Sequence, residues 1–371
     1  METDGLKVAF VVGGLTPGGA EKQFLYMAKA LVNAGACVRV YCLTQGDPYE
    51  KDLIAAGIEP VWIGERLQPW ARMLRLIGLL RKDRPHIVQS SHFFTNLYAT
   101  VSAQAVHAIS IGSVRSDPQR EVRANGFWGR WLLRLPSVLL ANSETAREKA
   151  IHMGVPRQSV FSLPNVIDLS AYPFRRTPSA SSIDPGFVTA VVVARLVAVK
   201  RLDRFLQGLA IAREKNPRIR GVIVGDGPEK QNYQALAEHL GLASDGVSFA
   251  GLQLDVPNWL NRADIFCLTS DQEGFPNVIL EAMAAGLPVI TTPAGDADTV
   301  VQEGITGTII AMDDGQDLAG RLVQLASDPD LRTRMGAAVR HRVETVYSYE
   351  SLASRLIQAY QKMALLRKNQ P

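Results

Sequence analysis

The chain has 371 residues, 47% of them hydrophobic and 20% charged. That length suits two domains rather than one, and the composition is too apolar for disorder. Lys and Arg number 40 against 36 Asp and Glu, a formal charge of only +4, which argues against a dedicated nucleic-acid binder. The small sum hides an uneven distribution: residues 1–168 hold 19 basic and 14 acidic side chains, the rest 21 and 22, and residues 66–134 alone hold 11 and 3.

The opening METDGLKVAFVVGG enters an apolar strand at once, so no signal peptide is expected. No window of about 18 uncharged apolar residues suggests a spanning helix. Three cysteines, Cys37, Cys42 and Cys267, are too few and scattered for a disulfide framework or a zinc site, and all lie in apolar runs. Buried thiols in a reducing, cytoplasmic setting are the expectation. Residues 7–13 predict a buried parallel strand, 13–20 (GGLTPGGA) a glycine-rich turn, and 21–34 a helix with Phe24, Leu25, Ala28, Leu31 and Val32 at helical spacing. Further strands fit 38–43, 60–63, 86–90, 108–114 and 138–142. Residues 170–186 have the Ser, Pro and Gly composition of a linker. The pattern then restarts: strands at 188–194, 219–224, 247–250, 264–269 and 288–292, helices at 202–216, 229–240 and 278–285, and an amphipathic helix over the tail 346–368. Alternating strand and helix predicts an α/β protein of two parallel-sheet units, with ligands beyond the carboxyl ends of the strands.

Residues 270–286 (SDQEGFPNVILEAMAAG) carry the clearest chemistry. Glu273 precedes a tight loop, Gly274-Phe275-Pro276-Asn277, that feeds a helix bearing Glu281. Carboxylates accept from the hydroxyl pairs of a sugar or ribose, and amides at a helix start suit phosphate. Together these describe a nucleotide-sugar. Arg195 and Lys200 follow the strand 188–194, where two fixed cations can stabilise a departing diphosphate without a metal.

The run E-G-F-P-N-x-x-L-E resembles the E-x7-E signature of retaining glycosyltransferases of family 4, which have the two-domain GT-B fold. Gly13-Gly14, Gly18-Gly19-Ala20-Glu21, Asn142-Ser143-Glu144, 164–168 (PNVID), Arg195-Leu196 with Lys200, Gly225-Asp226-Gly227-Pro228, Phe249-Ala250-Gly251 and Gly304-Ile305-Thr306-Gly307 follow in family order. The resemblance implies two Rossmann-like domains facing a central cleft. Residues 1–168 would form the acceptor-side domain, 169–186 the linker and 187–345 the donor domain, with a helix over 346–371 crossing back to the N-terminal domain.

It implies that Glu281 binds the ribose and that Glu273, with amides from Gly274 to Asn277, holds the donor sugar. Gly18 and Gly19 would lie near the donor phosphates or the acceptor. Arg195 and Lys200 would support a front-face reaction in which the departing phosphate helps deprotonate the acceptor, so no carboxylate nucleophile is assigned. Ala194 and Arg201 stand where the family usually has glycine, which leaves the path of that loop open. His92 and Asn96 would be acceptor or sugar contacts. Arg115 stands where many members have a histidine, which suggests an anionic group beside it or else a pair with Asp117.

The expected donor is a UDP- or GDP-sugar, used as substrate with no separate cofactor and no metal. Asp296-Ala297-Asp298 spells the D-x-D of metal-dependent enzymes, but that motif belongs to another fold. Aromatics and arginines at 70–76 and 127–134 suit an anionic membrane surface, with a lipid-linked acceptor, or a core helix with snorkelling arginines. A nucleotide-sugar epimerase of the same fold, and a non-catalytic two-lobed binding protein, remain alternatives.

Overall fold

The computed structural model describes residues 5–16, 18–64, 67–172, 186–312 and 314–368. Most of the expected linker, 173–185, lies outside the described residues. The chain divides into two units, Met1–Val166 with Tyr349–Pro371, and Ile167–Ser348.

In the first unit seven strands form one parallel sheet: β1 Lys7–Val12, β2 Cys37–Cys42, β3 Pro60–Trp62, β4 Ile87–Ser90, β5 Ile109–Val114, β6 Val138–Ala141 and β7 Val160–Ser162. Their order is β3-β2-β1-β4-β5-β6-β7. The central strand β1 is buried from Val8 to Val12, as a run of β-branched and aromatic residues covered on both faces should be. Phe10 meets Phe24 of the helix Gly19–Asn33 edge-on, ring centroids 5.2 Å apart. The helix Leu352–Lys368 buries Leu352, Leu356, Tyr360 and Met363 in the same core. Spacings of four, four and three residues place them on one helical face. Tyr360 Oη donates to Gln89 Oε1 at 2.6 Å, both side chains being buried.

The second unit holds a six-stranded parallel sheet: β8 Val188–Val193, β9 Ile219–Val224, β10 Val247–Gly251, β11 Ile265–Leu268, β12 Val289–Thr291 and β13 Gly307–Ile309. The order is β10-β9-β8-β11-β12-β13. In each sheet the order reverses once, between β1 and β4 and between β8 and β11. The carboxyl ends of those strand pairs are where such sheets bind ligands.

Two expectations are corrected, and two strands are added. The tail helix starts later than 346: the preceding helix Pro329–Val346 ends there, a turn covers Tyr349–Ser351, and the tail helix runs Leu352–Lys368. The reason is burial, since Tyr347 belongs to the second unit's core and Leu352 to the first's. The short strands β7 and β13, three residues each, give too little periodicity to be read locally. Cys37 is exposed, while Cys42 and Cys267 are buried; burial pushes the Cys42 thiol up to about 12. No helix among the described residues is long and apolar enough to cross a membrane.

Candidate active site

The second unit's switch point carries the expected donor residues. After β8 the chain makes a short turn, Ala198–Lys200, and after β11 it runs through Thr269-Ser270-Asp271 to Glu273. These two loops are bonded together. The Asp271 amide donates to the Val199 carbonyl at 2.9 Å, and Thr269 Oγ1 donates to the Lys200 carbonyl at 3.2 Å. At their tips Lys200 Nζ lies 2.6 Å from Glu273 Oε1, which also accepts from Ser270 Oγ at 2.7 Å. Among the described residues no hydrogen bond ends on Glu273 Oε2, which leaves an acceptor for a hydroxyl. Arg195 is exposed and its side chain has no partner among the described residues. The structure thus brings Lys200, Ser270 and Glu273 together, while Arg195 stands outside that contact.

The glycine-rich turns beside these loops are there for close approach. Gly225 (φ +139) lies against the Ala194 carbonyl, where a side chain would clash with backbone. Gly295 (φ +64) lies against the carbonyls of Glu273 and Gly274; a methyl there would sit 2.9 and 2.7 Å from the two oxygens. Glycine tolerates both the left-handed backbone and the contact. Arg201 itself adopts the left-handed conformation, φ 48 and ψ 49, that a glycine would take there.

The loop before the helix Asn277–Ala284 is narrower as an anion site than expected. Pro276 has no N–H, and the Asn277 amide donates to the Phe275 carbonyl at 2.9 Å. Of the amides from Gly274 to Asn277, those of Gly274 and Phe275 have no partner among the described residues. The Phe275 side chain is buried and tilts over Tyr347, centroids 6.1 Å apart, so it anchors the loop instead of facing a ligand. Glu281 is half-buried on the helix. Asp296 of the D-x-D is buried and precedes the short helix Ala297–Val300. Among the described residues no group of three or more His, Cys, Asp or Glu could hold a metal ion.

In the first unit the switch point gathers the glycine loop and His92. Gly18 starts the helix Gly19–Asn33, and a side chain on it would strike Glu21. The His92 ring is held at both nitrogens: Nδ1 lies 2.7 Å from Ser91 Oγ and Nε2 3.0 Å from Glu21 Oε1. Phe94 stacks on it at 5.3 Å and covers Gly13. Burial pushes the Glu21 carboxyl up, but hydrogen bonds from His92 and its own amide outweigh this, so its pKa falls below the ordinary 4.5. His92 is thus a strut between glycine loop and sheet, with no ring nitrogen left over for a sugar.

Glu21, in the sequence part of a turn motif, is the residue the site reading missed. Asn96 is corrected more fully. It is completely buried, accepting from Ser90 Oγ and from the Ser113 amide, so it ties β4 to β5 and does not face a ligand. Arg115, just beyond β5, does not pair with Asp117, which binds Lys149 Nζ at 2.6 Å. Arg115 reaches Met27 Sδ at 3.1 Å and Asn165 Oδ1 at 3.5 Å, its buried Nε has no partner among the described residues, and burial pulls its pKa down to about 10.

The sequence model described as Glycosyltransferase Family 4 matches residues 17–171, and that described as Glycosyl transferases group 1 matches residues 174–342. The N-acetyl-alpha-D-glucosaminyl L-malate synthase of Bacillus anthracis is 29% identical over 67% of this chain and 64% of its own length. The chain therefore spans less than two thirds of that relative. The capsular polysaccharide biosynthesis glycosyltransferase CapM of Staphylococcus aureus is 25% identical over 78% of this chain and 80% of its own. Among solved structures, HepE of Anabaena in complex with UDP and glucose superposes with a TM-score of 0.82. It is 18% identical, with 96% of this chain and 99% of that one covered, a likeness of fold. Two consecutive glycosyltransferase models, covering residues 17–171 and 174–342, thus account for most of the chain, which belongs to the glycosyltransferases they describe.

Proposed function

We propose that the protein is a retaining glycosyltransferase that moves a sugar from a nucleoside-diphosphate donor to a hydroxyl of a saccharide or lipid-linked acceptor. The observation that carries the reading is Lys200 Nζ held 2.6 Å from Glu273 Oε1 at the carboxyl edge of the second sheet. One loop offers a cation to phosphate and the other a carboxylate to sugar hydroxyls. The Gly274 and Phe275 amides add donors for the same phosphates, and Glu281 takes the ribose. Lys200 and Arg195 stabilise the charge that grows on the diphosphate as the glycosidic bond breaks, the task a metal performs elsewhere. The departing phosphate then accepts the acceptor proton on the same face, so configuration is retained without a protein nucleophile. The donor is a UDP- or GDP-sugar acting as substrate, with no separate cofactor. The UDP and glucose of the HepE complex support this donor class.

The first unit takes the acceptor, with Gly18, Gly19 and Arg115 at its sheet edge. Its surface supports a lipid-linked acceptor. Phe127, Trp128 and Trp131 are 91, 63 and 46% exposed and stack edge-on upon one another. They line a groove of about 900 Å³ with Arg123, Arg130 and Arg134 and no acidic residue. Aromatic and basic side chains so mixed suit the face of an anionic bilayer.

A thermal-shift screen with UDP-, GDP- and ADP-sugars, followed by slow hydrolysis of any hit, tests the donor reading. A shift with one donor and release of its nucleoside diphosphate are expected. No shift with any of them, or conversion of the donor into an isomeric sugar without transfer to an acceptor or plain hydrolysis, contradicts it, the latter in favour of an epimerase. Failure to co-float with anionic liposomes contradicts the membrane part.

A further inference from the structure

Arg204 is 2% exposed, one of the largest fully buried side chains of the protein. It comes from the helix Leu202–Lys215 and points at the back of the Lys200–Glu273 contact. Its Nη1 donates to the Thr269 carbonyl at 2.6 Å and its Nη2 to Asp271 Oδ1 at 2.9 Å. Arg201 reaches the same carboxylate, Nη1 to Oδ1 at 3.2 Å and to Oδ2 at 3.4 Å, and holds Asp203 with Nε and Nη2 at 3.0–3.1 Å. Asp271 is therefore gripped by two guanidinium groups while its own amide bonds to Val199. A non-glycine residue in the left-handed region persists only where its surroundings hold it, and the two carboxylates around Arg201 do so.

We propose that Asp271 is a positioning residue: held by Arg201 and Arg204, it locks the loop of Lys200 against the loop of Glu273 and so sets the spacing of cation and carboxylate. With glycine at 201 the loops would keep the backbone bond to Val199, the Thr269 Oγ1 bond and the Arg204 grip, but Asp271 would lose its second guanidinium. The proposal rests on the glycosyltransferase reading for its catalytic consequence, and on geometry alone for the tie.

The test uses the full chain with Asp271→Asn, Arg201→Gly and, as a control, Arg213→Ala, whose partner Asp245 lies 2.9 Å away at another surface. Amide exchange at residue 271, measured without nucleotide, reads the tie. Asp271→Asn and Arg201→Gly are expected to speed it about ten-fold or more, and Arg213→Ala to leave it unchanged. With a hydrolysed UDP- or GDP-sugar, both variants are expected to lower kcat about 10- to 100-fold while KM moves less than about three-fold, as for the loss of outer-shell support. Because glycine takes the left-handed backbone without strain, a loss in Arg201→Gly belongs to the side chain. Parent-like exchange in Asp271→Asn, or lowered kcat with unchanged exchange, overturns the proposal; Arg201→Gly behaving as the parent in both measurements overturns the part of Arg201. If the parent turns over no donor, the functional reading fails and exchange alone decides the tie.

Discussion

Replacing Gly295 by alanine tests how tightly the Glu273 loop is built. Gly295 has φ +64, and its new methyl would meet the Gly274 and Glu273 carbonyl oxygens at 2.7 and 2.9 Å. A left-handed backbone costs an L-residue about 1–2 kcal/mol, and overpacking against atoms that cannot rotate away adds about 1–3 kcal/mol. The stiffer unfolded chain returns about 0.4–1 kcal/mol. The sum is about 3 kcal/mol, or about 6–12 °C in Tm for a unit of this size. Gly304 separates the two causes. It has φ +73 but nothing within 4 Å of a methyl, so Gly304→Ala carries the backbone cost alone, about 1 kcal/mol or less after the same offset. Thermal unfolding of both variants by differential scanning calorimetry should show the larger loss for Gly295→Ala. Equal shifts would refute the claim that this turn is packed onto the Glu273 backbone.

Two further outcomes are expected. Tyr360→Phe leaves the buried Gln89 Oε1 without its 2.6 Å donor, so it should cost about 1–3 kcal/mol in urea unfolding; a change under about 0.3 kcal/mol would show that the hydroxyl does not help hold the C-terminal helix. Glu21 has a depressed folded pKa, so its tie to His92 adds stability above the ordinary carboxylate value and loses it as pH falls through the folded one. The stability gap between the parent and Glu21→Gln should therefore be full at pH 7 and shrink as pH falls below the ordinary 4.5 and through the lower folded value; a gap that does not shrink in acid would contradict the pairing.

Much of this architecture is legible along the chain because parallel strands buried on both faces write apolar runs that need no distant partner to be recognised. That Lys200 and Glu273 share a sheet edge is legible because both follow the ends of such runs, in loops of marked composition. What local reading misses is set by long-range contact. Asn96 looks like a polar residue at a strand end, and only β5, arriving at Ser113, makes it a buried tie. His92 looks free until Glu21, 71 positions earlier, takes its Nε2. Arg204 reads as a solvated helix residue, and its burial depends on Thr269 and Asp271 from a loop more than 60 residues on. The Asn277 amide is lost to a turn within its own loop, which the sequence Gly-Phe-Pro-Asn suggests but does not specify.

The central claim is that Lys200 acts on the leaving diphosphate and not merely on donor affinity. The direct measurement is kcat for donor-sugar turnover beside the Kd for the free nucleoside diphosphate, in the parent, Lys200→Ala and Arg195→Ala. Loss of one preorganised charge at the developing anion should lower kcat about 10²- to 10³-fold in Lys200→Ala while Kd rises far less, with a similar split for Arg195→Ala. A kcat equal to the parent's in both variants, or losses in kcat and Kd of the same size, would contradict it.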